Sequence, residues 1–436
     1  MEKLEYEGNV KNVLLDPVLD VKNNRSEFRL DNDETNRVVL SSLRINGLGV
    51  SKAGGGNYNF AAGSYGLIKN IFLMDGNVVL DQCLNANGWM AFQNYLSMND
   101  DNACKTKPLA KHNLGYMVDG QSPANDALTD TEAPRTDVIY RSASGPITNN
   151  ADSLQNAGYL DLKRVLPMLS AVDVLPLAVF DKGLRIVIEY ESDANKFLGN
   201  TQNASTTIRP ILSYDELTDP AEKAEASKGF KGASWMSIEH DRVNVPAVAS
   251  GGANVRPEQE VNVNVKNFRG KYLQKIVVAK NPKDAATFKN ANQCSPMGAH
   301  ASVVGINEAM NFKINGAPKL PVDADRPMKR MALLTDAWGV CNAYPLNNVH
   351  GSDRDYFIIA KFNAISDRKL QVAVQDYFGL SIESEVRDME LKYKRTNEGT
   401  GGTDNEQYNT ALDLNMWGLC RKQIVVGNGK YQVVYA

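Results

Sequence analysis

Apolar and polar positions alternate most clearly in GLRIVIEYE (183–191), where Leu184, Ile186, Ile188 and Tyr190 interleave with Arg185, Val187, Glu189 and Glu191. A period of two, rich in β-branched residues, predicts a strand with one buried face. Upstream, Leu162 to Leu169 carries apolar residues at helical spacing, limited by Pro167. Pro176 then forces an extended entry, because the residue before a proline is pushed out of the helical region. Downstream the composition turns small and polar, SDANKFLGNTQNAST, as at the end of a domain.

The same alternation recurs along the chain. FRLDNDETNRVVLSSLRING (28–47) predicts short strands broken by Asp31-Asn32-Asp33 and closed by Asn46-Gly47. GLIKNIFLMDGNVVLDQ predicts two strands around Asp75-Gly76, a dipeptide favoured in two-residue hairpins. ANGWMAFQNYLSM predicts a short helix with Trp89, Phe92 and Leu96 on one side, and residues 97–152, without sustained periodicity, predict an exposed excursion. STTIRPILSYDEL then reads as a strand and DPAEKAEASKGF as a charged helix. Strand patterns continue through VNVNVKNF, with Val261, Val263 and Val265 on one side, KYLQKIVVAKNP, MNFKINGAPKLP, RDYFIIAKF, KLQVAVQDYFGLSIESEV and MELKYK. KQIVVGNGKYQVVYA predicts a hairpin about Asn428-Gly429, with Ile424 and Val426 facing Tyr431, Val433 and Tyr435. RING (44–47) and KING (313–316) look alike, a likeness that hairpin chemistry and duplication explain equally well.

Many short strands, long polar loops and few small helices define an all-β chain, a sandwich or jelly roll taken twice. Its 436 residues exceed what one core serves, so two domains are expected: 28–200 and 201–436. Residues 1–27, apolar positions mixed with charge and interrupted by Asp16-Pro17, are expected to form an arm outside the first core.

Charge narrows the partners. A net charge of −3 and a sequence pI near 5.9 argue against tight nonspecific binding to nucleic acid. The arm carries four basic against six acidic residues, the wrong sign for gripping phosphates. With no early apolar run of signal type and no run of 18 apolar residues, no transmembrane segment and synthesis in the cytosol are expected. Cys83, Cys104, Cys294, Cys341 and Cys420 are scattered with no CxxC, as reduced and mostly buried thiols would be.

Candidate chemistry is thin. GNGK (427–430) ends like a phosphate loop, but Ile424 stands where its first glycine belongs and Tyr431 replaces Ser or Thr. Gly54, Gly55 and Gly56 read as a flexible loop. His112, His240, His300 and His350 are isolated, and His240-Asp241 lacks a nucleophile motif. Glu383 and Glu385 share one face of a strand, where they serve either as a glycosidase pair or as the solvent face opposite Leu380 and Ile382. The four tryptophans read as core or interface anchors. No catalytic, cofactor-binding or metal residue is assigned, no cofactor is implied, and the chain is not expected to be an enzyme.

Taken in order, these pieces resemble a known family. GSYGLIKNIFLMDGNVVLDQCLNANGWMAFQNYLSMND is similar to the first-barrel segment of viral double jelly-roll major capsid proteins, and FRLDNDETNRVVLSSLRI to its opening strands. LKRVLPMLSAVDVLPLAVFDKGLRIVIEY resembles the closing segment of that barrel, and TTIRPILSYDEL the first strand of the second. EVNVNVKNFRGKYLQKIVV and MNFKINGAPKLPVDADRPMKRMALL resemble later pieces of it. The relatives are capsid proteins of polinton-like viruses, virophages and adinto-type viruses.

The resemblance implies two consecutive eight-stranded jelly-roll barrels with short helices and long loops. It further implies a homotrimer of pseudo-hexameric outline that tiles an icosahedral shell around double-stranded DNA. Neighbouring capsomers and minor capsid or penton proteins would be its partners, without sequence-specific binding to nucleic acid, and the virion its location. The arm would lie at the inner base of the trimer against a neighbour, or else along its own first barrel. Two competing readings are a β-sandwich that binds or cleaves carbohydrate, which needs clustered carboxylates or aromatics on a concave face, and a tail or fibre subunit, which tends to carry short repeats or heptads.

Overall fold

The computed structural model describes residues 10–21, 24–31, 36–52, 63–97, 158–192, 204–246, 258–282, 306–325, 327–339, 377–397, 411–427 and 430–435. The expected excursion beyond residue 97 and the strand predicted at RDYFIIAKF lie outside these.

The first half contributes eleven strands: β1 (Val10–Leu15), β2 (Leu19–Val21), β3 (Arg25–Leu30), β4 (Val38–Leu40), β5 (Arg44–Lys52), β6 (Ile68–Asp75), β7 (Val78–Leu84), β8 (Gly158–Asp161), β9 (Val174–Pro176), β10 (Leu184–Tyr190) and β11 (Ala204–Leu217). One antiparallel sheet runs β8-β5-β11-β4-β9 with β1 also on β11, and the other runs β2-β3-β10-β6-β7. The second half adds β12 (Gly232–Val245), β13 (Glu258–Asn264), β14 (Lys271–Pro282), β15 (Ile306–Ile314), β16 (Ala317–Pro318), β17 (Tyr377–Val386), β18 (Met389–Asn397), β19 (Leu412–Gly427) and β20 (Lys430–Tyr435). Its sheets run β12-β19-β14-β17, with β20 on β19, and β13-β18-β15-β16. The helices used below are α1 (Ala86–Ser97), α2 (Met168–Ala171), α3 (Pro220–Gly229) and α4 (Pro327–Trp338).

Local chemistry accounts for many of these boundaries. Asp219 caps α3 by accepting the Ala221 N–H at 2.7 Å, with Pro220 at the first helical position where no N–H is needed. Pro167 divides the predicted helix into a 3-10 turn at Leu162–Arg164 and the single turn of α2. The β6–β7 hairpin turns at Gly76 (φ +55°) and Asn77, one residue later than the dipeptide suggests, because Asp75 pairs with Val78. The Asp75 carboxylate instead accepts the backbone N–H groups of Asp181 and Lys182 at 3.0 and 2.8 Å.

Three expectations change. The segment read as an arm holds β1 and β2: β1 pairs with β11 from Val10↔Leu217 to Leu15↔Leu212, and β2 pairs with β3. Extended backbone with alternating side chains finds its hydrogen-bond partner at the open edge of its own chain's sheet. TTIRPILSYDEL, expected to open the second barrel at 201, lies within β11 and pairs with β1, β4 and β5 of the first half. Val187, placed on the solvent side of β10, is 2% exposed, as the small side chain of a central strand flanked by Glu27 and Phe72.

Burial shows how the halves meet. Ile276 and Val278 of β14 point into the core of the second half, while Val277 and Ala279 join the core of the first. On β19, Leu412, Leu414 and Met416 face the former, Trp417 and Ile424 the latter. This sheet is therefore buried on both faces, which is why KYLQKIVVAK includes an unbroken apolar run. Among the described residues no helix is long and apolar enough to cross a membrane.

Candidate functional site

The richest chemistry lies where β7, α1 and α2 of the first half meet β12, β19 and α4 of the second. Three tryptophans far apart in sequence gather there. Trp89 lies 5.9 Å from Trp338 and 6.4 Å from Trp417 between ring centres, and Phe92 meets Trp338 edge-on at 5.0 Å. Trp417 is fully buried and its indole N–H donates across the junction to the Leu84 carbonyl at 3.2 Å. Gly88 makes this approach possible, since a Cβ there would lie 2.9 Å from the Trp417 ring.

Beside this aromatic cluster is a buried polar network. Asp81 on β7 accepts the backbone N–H groups of Met168 (2.8 Å) and Gln82 (3.1 Å). The Ser237 hydroxyl lies between Asp81 (3.2 Å) and Glu239 (3.3 Å), both carboxylates buried. Glu239 also accepts from Tyr435 (2.7 Å), Lys271 (2.9 Å) and Gln82 (3.4 Å). Lys422, buried as well, donates to the Val79 carbonyl at 3.4 Å and lies over the Tyr435 ring.

The two acids respond oppositely to burial. Loss of water pushes Asp81 up to about 6, and the Met168 N–H and the Lys422 charge offset only part of that. Burial pushes Glu239 up too, but the Lys271 ammonium and the donors from Lys271 and Tyr435 outweigh it and hold it below its ordinary value. Burial lowers Lys422. Two carboxylates and two ammonium groups thus share one closed network, in which removing a single partner strands a buried charge. A second link joins the halves where the Tyr431 hydroxyl donates to Asp75 at 2.7 Å.

The residues singled out in the sequence do not converge. His240 meets the Asn415 side-chain oxygen at 3.1 Å and packs on Trp417. Its neighbour Asp241 instead accepts the N–H groups of Lys266 and Asn267, tying the turn before β14. Glu383 and Glu385 are exposed, with Leu380 and Ile382 buried, and Glu383 sits at positive φ (+49°) in the bulge of β17. Gly427 and Lys430 pair at the base of the β19–β20 hairpin, where Ile424 opposes Val433 and Val426 opposes Tyr431. Cys83 and Cys420 are buried free thiols, both raised by burial, Cys420 to about 12. Gly54–Gly56, His112, His300, His350, Cys104, Cys294 and Cys341 lie outside the described residues. Among the described residues no group of three or more His, Cys, Asp or Glu could hold a metal ion. The polar network at the junction is not legible in the sequence, since its side chains come from five strands with no shared motif.

The N-terminal strands present a different surface. Val10, Leu14, Val18, Leu19 and Val21 are all exposed, Leu14 to 66%. Five exposed aliphatics thus fall within twelve residues, four of them on the edge strands β1 and β2 and Val18 between the two.

Strand-dominated, with antiparallel sheets in each half and a tight seam between the halves, the chain has a jelly-roll-like fold. It is similar over its whole length to PBCV-1 VP54, in a crystal structure fitted into a cryo-EM reconstruction of the virophage Sputnik: TM-score 0.56, 10% identity, covering 100% of this chain and 99% of that one. It is similar to the PBCV-1 virus capsid in a quasi-atomic description, with TM-score 0.55 and 12% identity over 98% and 96% of the two chains. The Faustovirus major capsid protein matches with TM-score 0.50 and 8% identity over 98% and 92%. These structural neighbours are viral major capsid proteins of the double jelly-roll lineage. At such identities the likeness is one of fold. No protein-family model matches the chain, and no curated protein does.

Proposed function

We propose that the chain is a viral major capsid protein built from two consecutive eight-stranded jelly rolls. The observation that carries this reading is a strand order that occurs twice. Counting β1, β3, β5, β6, β7, β8, β10 and β11 as first to eighth, the sheets of the first half run 1-8-3-6 and 2-7-4-5. Counting β12 to β19 in the same way, those of the second half run 1-8-3-6 and 2-7-4-5 again. This interleaving is the jelly roll's way of closing two Greek keys over one core. On this reading the first barrel extends from β1 to β11 and the second from β12 to β19, with α3 between them.

Two similar barrels in one chain supply six similar lobes in a trimer, so a single product fits a hexagonal lattice. The exposed aliphatics of β1 and β2 would meet a neighbouring copy, and repetition of modest interfaces by symmetry would hold a shell around double-stranded DNA. The protein would be made in the host cytosol and end in the virion, with other capsomers and minor capsid proteins as partners. A trimer is the expected soluble unit: three copies of 47.9 kDa give 143.7 kDa by light scattering at micromolar concentration. A stable monodisperse monomer would overturn the assembly reading.

A further inference from the structure

At the junction the two halves leave a pocket of about 450 Å³ that opens to solvent. Small-molecule sites typically occupy about 300–1,000 Å³. Its apolar walls include Trp89 and Phe92 of α1, Trp235 of β12 and Trp338 of α4. Arg164 and Lys275 place two positive charges on the lining, and no acidic side chain joins them. The half-buried Lys275 ammonium lies 4.3 Å from the centre of the Trp338 ring, and burial lowers its pKa. Lys275 has no carboxylate partner among the described residues. The indole N–H of Trp89, in a side chain 4% exposed, is buried without a hydrogen-bond partner among them.

A cation without counter-ion in an aromatic-walled cavity calls for a negatively charged acceptor on an apolar body. A sugar would suit the tryptophan faces but would leave the charge unmatched. We propose that this pocket binds a small amphipathic carboxylate, its head at Lys275 and its chain or ring along the tryptophans. Because the walls come from both halves, the ligand would bridge them, a role additional to shell building and independent of it.

Titration of the full chain with dodecanoate, followed by tryptophan fluorescence and calorimetry, tests this, with dodecanol as the neutral counterpart. Saturable binding of one dodecanoate per chain is expected, about tenfold tighter than dodecanol, as one charge-assisted hydrogen bond provides. Lys275→Gln should remove that preference and leave dodecanol binding unchanged. Ser170→Phe, which fills the pocket from an exposed wall position, should abolish binding of both. Equal affinity for acid and alcohol, absence of saturable binding, or dodecanoate binding indifferent to Ser170→Phe would each overturn the proposal, and none of these depends on Lys275→Gln folding.

Discussion

At the scale of single residues, Asp81 shows how a seam can be both tight and sensitive to pH. Its carboxyl is raised to about 6 in the folded chain, above its ordinary value near 3.8. The folded state therefore holds this proton more firmly than the unfolded state does. The resulting stabilisation is fully present below about pH 4 and is lost as pH rises through about 6. Glu239, held low, acts the other way, losing its contribution only as pH falls below the ordinary carboxylate range. The difference in unfolding free energy between the native chain and Asp81→Asn isolates the first effect. It should fall by up to about 3 kcal/mol between about pH 4 and about pH 7, at ~1.36 kcal/mol per pKa unit. Denaturant titrations at several pH values measure it, and a difference independent of pH would show that Asp81 ionises freely in the folded state.

Among the elements, β10 gives the clearest test of register. Ile186 and Ile188 are fully buried and belong to the first core. Ile186→Asp puts an unpaired carboxylate there and should cost several kcal/mol, enough to prevent soluble protein at ordinary temperature. Val187 faces the other way but is also shielded, between Glu27, itself paired with Arg185 at 3.0 Å, and Phe72. Val187→Asp should therefore destabilise clearly, by about 1–3 kcal/mol, yet less than Ile186→Asp, because the carboxylate can turn outward to water. Soluble yield of both variants, with thermal unfolding of Val187→Asp, checks the order, and an inverted order would mean the strand is flipped.

That strand was legible because its alternation is strong, and the hairpins at 75–78 and 427–430 because turn residues announce them. The register of sheets was not. β1 looked like an arm since Pro17 and mixed charge mask a six-residue strand whose partner, β11, lies some 200 positions away. β12 is not legible in the sequence although it spans fourteen residues, because GASWMSIEHDRVNV has small and polar residues where the junction needs them, Ser237 and Glu239 among them. In α4, Leu334 and Trp338 stand one helical turn apart, but the Pro and charges before them hid the pattern. RING and KING prove unrelated in role: Gly47 (φ +80°) lies in β5 opposite the bulge of β11, against the Arg209 carbonyl, whereas Gly316 (φ +84°) turns β15 into β16. The repeat lives in strand order, which no short motif records.

For the whole molecule, the default for a 436-residue chain with two large apolar clusters is separate unfolding of each. The seam argues otherwise here. One apolar cluster takes in residues from β3 to Ile424, so the first half cannot open without exposing Val277, Leu334 and Trp417 of the second. Opening would also strand Lys422 and Glu239 away from Asp81 and Gln82, and break the Trp417–Leu84 and Tyr431–Asp75 hydrogen bonds. Interfaces between domains are usually more polar and easier to part. We expect calorimetry of the intact chain to show one transition, with both halves lost together. Trp417→Ala should undo this, since it removes the fully buried indole at the centre of the seam, a change that costs about 3–5 kcal/mol. Trp417 lies outside the second core, where Leu412, Leu414 and Met416 remain. The variant should therefore separate into two transitions, with the second half keeping the higher one. Two transitions in the native chain would show that each half stands on its own core and that the seam only aligns them, and a single one at lower temperature in the variant would show that the coupling does not depend on Trp417.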